Sequence, residues 1–294
     1  MRCGFIAAHT NVGLSTRELC SLLNVARSSY YQWHCQATRR ELTSAEESRL
    51  LIQIRKIFYD SQQTYGSPRI WRQLLRDGIA CSRRQVARIM RKNGLISVHF
   101  KRKRRFVVTT DSRATSAPAP NLLKQDFGTT APNQKWVGDV TYIYTGEGWA
   151  YLANVIDLFS RKIVGYAIGA RNNAQLTCAA FKMAVLRRQQ PRQLIYHSDR
   201  GSNYACSEFK ELLLANKIRP SMSRRGNCYD NAVAESFFHT IKVELIARTT
   251  YKSRLAVLSG VTDWIEHFYN TQRMHSAIGY CSPVEFERIH ADST

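Results

Sequence analysis

Three carboxylates sit where an apolar context makes a negative charge costly. Asp139 interrupts the run WVGDVTYIY, Asp199 closes QLIYHSD, and Glu235 lies between apolar positions of NAVAESFFHTIKVELI. An ionised carboxylate near a core is unfavourable unless it is paired or binds a cation. Three brought together repel one another, and divalent cations, which take hard oxygen ligands, relieve that repulsion. Thirty-five residues separate Asp199 from Glu235, and Lys242 follows seven after the glutamate. Read as a helix, Asn231, Glu235, His239 and Lys242 share one face, while Val233, Phe237, Ile241 and Leu245 share the other. One face can pack on a sheet while the other offers a metal ligand and a contact to DNA phosphate.

Weaker candidates surround these. Asp157 falls on a strand expected beside that of Asp139, either as an outer metal ligand or as a hydrogen-bonded structural aspartate, the commoner case. His197 shares a side of its strand with Asp199; it touches DNA or metal in one reading and is a satisfied structural histidine in the other. Arg200, Gly201 and Asn203 form a turn suited to phosphate contacts. Arg224, Arg225, Gly226 and Asn227 form a basic loop able to order on DNA. Trp264, Phe268 and Tyr269 recur at helical spacing and read as packing.

The elements that must position these residues begin after Pro132. Runs at 136–144, 148–160 and 161–170 are strand-like, and the last two predict a hairpin with Ser160-Arg161 near its turn. A helix over 173–189, a short strand at 193–199, a helix over 207–218, a brief strand at RPSMS and a helix over 231–246 follow. This order predicts an RNase H-like α/β domain, a mixed five-stranded sheet with flanking helices. Its core is placed at 131–250, with a C-terminal helical extension at 251–294.

All-α helix-turn-helix segments precede it. Residues 15–33 read as two short helices turning at Asn24-Val25, with Ser15 or Thr16 and Glu18 marking the start, inside a first segment at 1–44. A second region, 45–105, opens with a connecting helix at 45–59. SPRIWRQLLRDG follows, with Pro68 in its first turn, Ile70, Trp71, Leu74 and Leu75 on one face and Gly78 as its stop. RRQVARIMRKNG then turns Val86, Ile89 and Met90 inward and leaves Arg83, Arg84, Arg88, Arg91 and Lys92 for a DNA groove or backbone. A solvated basic face is the alternative. Lys101, Arg102, Lys103, Arg104 and Arg105 come next, a phosphate clamp or a solvated tether, and then a Ser/Thr/Ala/Pro-rich linker over 106–130.

The net charge of +21 is unevenly spread: 23 Lys+Arg face 8 Asp+Glu over residues 1–130, against 20 and 14 beyond. Such a surplus points to a polyanionic partner. No apolar run reaches the roughly 20 residues of a membrane span, and the N-terminus is a poor signal peptide. A cytoplasmic, nucleoid-associated protein without a membrane partner is expected. The eight cysteines are scattered with no C-x-x-C pair, which argues against structural zinc and a disulfide framework.

Taken together, KWVGDVTYI, VIDLFSRKIVGY, HSDRGSNY, SMSRRGNCYDNAVAESFFHTIK and YNTQRMHSAIGYCSPVEF resemble the catalytic, second-reading-frame protein of IS-three family insertion-sequence transposases, relatives of retroviral integrases. YGSPRIWRQL with RRQVARIMRKNGLI resembles that family's helix-turn-helix segment. The resemblance implies that Asp139, Asp199 and Glu235 hold two Mg²⁺ or Mn²⁺ ions, with Lys242 also kept. It implies cleavage at transposon ends followed by 3′-OH strand transfer, the type of in-line displacement that a metal pair supports. Its implied partners are double-stranded DNA (the terminal inverted repeats and the target), further copies of the chain, and the upstream reading-frame protein as a fusion or complex. Two rivals stay open: a nuclease of the same fold that only hydrolyses, and a DNA-binding repressor with an inert catalytic domain.

Overall fold

The computed structural model describes residues 1–10, 14–100, 118–191, 193–224 and 228–291, with backbone alone at 40–44, 100 and 228. The expected cations at 101–105, residues 106–117 of the 106–130 linker, and Arg225, Gly226 and Asn227 of the basic loop lie outside the described residues. Two compact units emerge, Met1–Ser97 and Val98–Thr294.

The first unit is helical: α1 (Arg2–His9), α2 (Thr16–Leu22), α3 (Arg27–Asp60), α4 (Ser67–Arg76) and α5 (Arg83–Lys92). Ser15 opens α2 as expected, its Oγ accepting from Glu18 N while Glu18 Oε2 accepts from Ser15 N at 2.7 Å. The helix after Asn24-Val25 is not short, however. It continues for 34 residues through the expected connecting helix, so the boundary drawn at 44/45 falls inside it. No Gly or Pro occurs between Arg27 and Asp60, so nothing in the backbone stops propagation once the helix has nucleated. Ile6, Leu19, Cys20 and Tyr30 make one small core near its start.

Near the other end of α3, α4 and α5 bury Ile70, Leu74, Val86, Ile89 and Met90. Gly78 adopts φ +77° and ends α4, and Ser82 Oγ caps α5 by accepting from Gln85 N at 3.1 Å. Two side chains expected inward differ. Leu75 is exposed, and Trp71 is half-buried with its Nε1 donating to Cys81 O at 2.9 Å.

The second unit is built on a five-stranded sheet in the order β3-β2-β1-β4-β5: β1 (Lys135–Thr145), β2 (Gly148–Asp157), β3 (Ile163–Gly169), β4 (Ile195–Ser198) and β5 (Arg219–Met222). The first three pair antiparallel, and β4 and β5 add in parallel. The helices are α6 (Ala174–Arg187), α7 (Ser202–Ala205), α8 (Ser207–Ala215), α9 (Ala232–Glu244), α10 (Arg254–Asp263) and α11 (Pro283–Ala291). Trp136, Phe181, Tyr196 and Phe209 form the aromatic centre of the core between sheet, α6 and α8.

The expected C-terminal extension is part of this same core. Trp264, Phe268 and Tyr269, in a π-type helical turn after α10, are buried around Phe237. The Asn270 side chain accepts from Ile163 N at 3.0 Å and donates to Ile163 O at 3.1 Å, satisfying β3's edge backbone. A boundary at 250/251 therefore divides nothing that packs separately. No helix of the described residues is long and apolar enough to cross a membrane.

Candidate active site

Strand register brings Asp139 and Asp199 into step. Parallel pairing of β1 with β4 sets Val137 opposite His197, so two residues further on Asp139 and Asp199 leave the paired region at the same level and on the same side. The space beneath is fixed by Gly138: a Cβ there would stand 1.8 Å from Tyr196 Oη, and only glycine lets that buried ring slide under the strand. Asp139 N donates to Asn154 Oδ1 at 3.2 Å, and Asp139 Oδ1 accepts from Val140 N at 2.7 Å. Asp199 Oδ1 accepts from Gly201 N at 2.9 Å at the start of α7.

Glu235 stands exposed in the first turn of α9, which packs against β1; Lys242 is in its last turn, Nζ 4.9 Å from the centre of the Tyr142 ring. Burial pushes the Asp139 carboxyl well above the usual range; the Asp199 and Glu235 charges push the same way, and the Val140 N–H and Lys242 oppose them. Burial also raises Asp199, and the partial desolvation of a carboxyl on an otherwise exposed residue raises Glu235. Lys242 is lowered by burial and drawn back up by Asp139. The four charges thus share one field, with acids in excess of the cation.

Hard carboxylate oxygens in excess of their counter-charge suit a divalent cation such as Mg²⁺ or Mn²⁺. Among the described residues, no three His, Cys, Asp or Glu side chains are gathered closely enough to hold a metal ion as they stand. Donor type and mutual repulsion fit such an ion; the carboxylates alone do not close a cage around it.

Several expected contacts are placed elsewhere. Asn231 is buried ahead of α9, not on its exposed face. Asn203 is buried, its amide donating to Asn172, so it ties α7 to the segment before α6 rather than facing phosphate. Arg200 Nε donates to Ser223 O at 2.7 Å, and the exposed Arg224 is paired with buried Asp230 at 3.1 Å. On α9 the buried positions are Ala234, Phe237, Phe238, Ile241 and Glu244; Val233 and Leu245 are only half-buried. In the helical unit, Arg83, Arg84, Arg88, Arg91 and Lys92 are all exposed, Arg88 in an ion pair with Glu47.

Asp157 and His197 resolve as structural. Asp157 is fully buried, accepting from Asn133 N at 2.9 Å and Phe159 N at 3.0 Å, with Arg188 at 3.5 Å. His197 lies between the hydroxyls of Ser221 (2.8 Å) and Ser223 (3.1 Å), and burial lowers its pKa to about 4.

Two features have no local sequence signature. Buried Glu244 takes Arg273 Nε and Nη2 at 2.7 and 2.6 Å and His99 Nε2 at 2.6 Å, from positions 29 and 145 residues away. Burial alone would raise Glu244, but Arg273 and His99 hold it at about 2. The second is the Tyr196–Tyr204 pair, rings 6.3 Å apart under the aspartates.

A family model described as Integrase core domain matches residues 129–228, and a second of that description matches 216–283, so all three carboxylates fall in matched residues; an HTH-like domain model matches 45–105. An integrase core accompanied by a helix-turn-helix-like region defines the class. The chain is 41% identical to Transposase InsF for insertion sequence IS3A of Escherichia coli (strain K12), over 98% of each chain. It is 40% identical to the IS600 uncharacterized 31 kDa protein of Shigella sonnei, over 92% of this chain and 98% of that one. The chain belongs to the IS3 family of insertion-sequence transposases. Among solved structures, the HTLV-2 integrase catalytic core domain in complex with magnesium aligns over 54% of this chain and 99% of that one, at 17% identity and TM-score 0.42.

Proposed function

We propose that this transposase cuts its element's ends and joins them to new phosphodiesters at the Asp139–Asp199–Glu235 site. The observation that carries the reading is geometric: β1–β4 register sets Asp139 and Asp199 at one level, and α9, which carries Glu235 and Lys242, packs against β1, so that Asp139 feels the charges of all three. Asp139, Asp199 and Glu235 would hold two Mg²⁺ or Mn²⁺ ions, which when bound supply Lewis-acid activation of an incoming oxygen and charge relief at the leaving one.

The chain's own residues do the rest. Asp139 and Asp199 are fixed by strand register, so their oxygens need little reorganisation to meet the reacting phosphate. Glu235 comes from a separate helix and completes the site from the solvent side. Lys242 places a positive charge beside the carboxylates, where a DNA phosphate would otherwise meet net repulsion. Arg83, Arg84, Arg91 and Lys92 give α5 an exposed basic face suited to a groove or backbone. The substrates are double-stranded DNA at the element's terminal repeats and at a target. The partners are further copies of this chain and the upstream reading-frame protein.

No side-chain nucleophile is required. Water frees a 3′-OH at the element end, and that 3′-OH then attacks a second phosphodiester, with one site serving both displacements. The test is to incubate the purified protein with its element's ends and Mg²⁺ and sequence the products. Joined ends are expected; nicked ends that are never joined would reduce the protein to a nuclease.

A further inference from the structure

The hairpin joining β1 to β2 carries an aromatic ridge that the carboxylate chemistry does not use. Tyr142, Tyr144 and Trp149 alternate onto one face: Tyr144 is the direct cross-strand partner of Trp149, and Tyr142 lies diagonal to it. The Tyr142–Trp149 and Tyr144–Trp149 ring centres are 5.1 and 5.3 Å apart, edge to face. Tyr144 is 70% exposed and Trp149 46%. Large aromatic rings left this open, side by side, form a contiguous patch of the kind found at interaction sites.

The ridge is held rigid from behind. Arg254 donates through Nε to Trp149 O at 3.0 Å and through Nη2 to Glu147 O at 2.7 Å. Gly146 N donates to Tyr251 O at 3.0 Å, and a Cβ on Gly146 would stand 2.7 Å from Lys252 O, so the turn lies flush on that segment. The ridge is also continuous with the acidic site: the Lys242 ammonium lies 4.9 Å from the Tyr142 ring centre and within the field of Asp139. A cation that can take a phosphate thus adjoins exposed ring faces that can take the base attached to it.

We propose that the Tyr142–Trp149–Tyr144 ridge stacks an unpaired nucleobase next to the DNA phosphate held at the carboxylates. The occupant is a base and not a protein side chain, because the cation beside Tyr142 attracts phosphate and the chain is strongly basic. Stacking of this kind is tolerant of sequence and works on frayed or single-stranded ends. The inference rests on the reading of the site as a DNA-cutting centre, but binding tests it separately.

The probe is a fluorescent duplex with a three-nucleotide unpaired 3′ tail, compared with the same duplex carrying three abasic residues, at fixed salt and without metal. The full chain is expected to bind the base-bearing tail about tenfold more tightly. Trp149→Ala and Tyr144→Ala, both at exposed positions, are expected to erase the difference while leaving duplex affinity alone, and Trp149→Phe to keep it. Asp139→Asn is also expected to keep it, so failure of catalysis and failure of stacking are distinguishable. Equal affinity for both tails, or a preference that survives Trp149→Ala, overturns the proposal. Self-association lost in Trp149→Ala, with no tail preference, would assign the ridge to a second copy and overturn it too.

Discussion

Helix α9 carries two glutamates nine residues apart with opposite fates. Glu235, near its start, is exposed and adds its charge to the field that Asp139 already feels from Asp199. Glu244, at its end, is 1% exposed and held by Arg273 and His99. The same residue type on the same helix stands open in one place and serves as a rivet in the other. What separates them is compensation. The Glu244 region has answered its buried charge with a guanidinium and an imidazole, whereas the Asp139 region leaves acids in excess. An uncompensated imbalance of this kind is what marks a candidate functional site.

Removing charge from the two regions is expected to act in opposite ways. Asp139→Asn, Asp199→Asn and Glu235→Gln should each lower cleavage and joining by about 10²–10³-fold, the scale seen when one preorganised electrostatic group is lost. Each should leave thermal stability unchanged or raised, because repulsion is relieved. A Glu235→Gln protein with normal Mg²⁺-dependent turnover would defeat the assignment. Glu244→Ala should instead cost about 3–5 kcal/mol of stability in urea titrations, since it strands a buried guanidinium. If it proves harmless, the contrast between the two ends of α9 fails.

A smaller effect should come from pH. His197 is buried and neutral with a pKa near 4, against about 6.5 in an unfolded chain. The unfolded chain therefore takes up the proton first, and stability falls as pH drops from 6.5 towards 4. Between pH 7 and 5 the loss should be about 2 kcal/mol in wild type and absent from the same titration of His197→Gln. The smallest effect expected is that of Lys242→Gln: DNA binding about tenfold weaker, with the dependence of log affinity on log salt reduced by about 0.9. An unchanged salt slope would place Lys242 away from phosphate.

How much of this was legible in the sequence depended on how locally each feature is encoded. The strands around Asp139 and the helix α6 appear within a few residues of their expected limits, because β-branched and aromatic runs between turn residues are local signals. Pro68 and Gly78 likewise mark the start and stop of α4. The proximity of Asp139 and Asp199 rests on the pairing of β1 with β4, which the order of elements alone did not fix. What could not be read is what depends on distant partners. Asn203 and Asn231 look like surface polar residues in sequence and are buried by the elements that close over them. Glu244 shows no sign of its partners, which lie far away along the chain. The continuity of α3 was there to be read in the absence of Gly and Pro, and a helix-turn-helix expectation imposed a break the residues do not encode.

That continuity has a mechanical consequence. From Tyr30, where α1 and α2 pack, to Leu50 near the α4–α5 pair is twenty residues, or about 30 Å of unbroken α-helix. Over that length the rod transmits phase as well as distance: each residue inserted or deleted within it swings one helical group by about 100° around the axis relative to the other. Evolution can lengthen such a spacer harmlessly only in steps that restore the turn, three or four residues at a time, and a single-residue indel there would misalign the two groups without unfolding either.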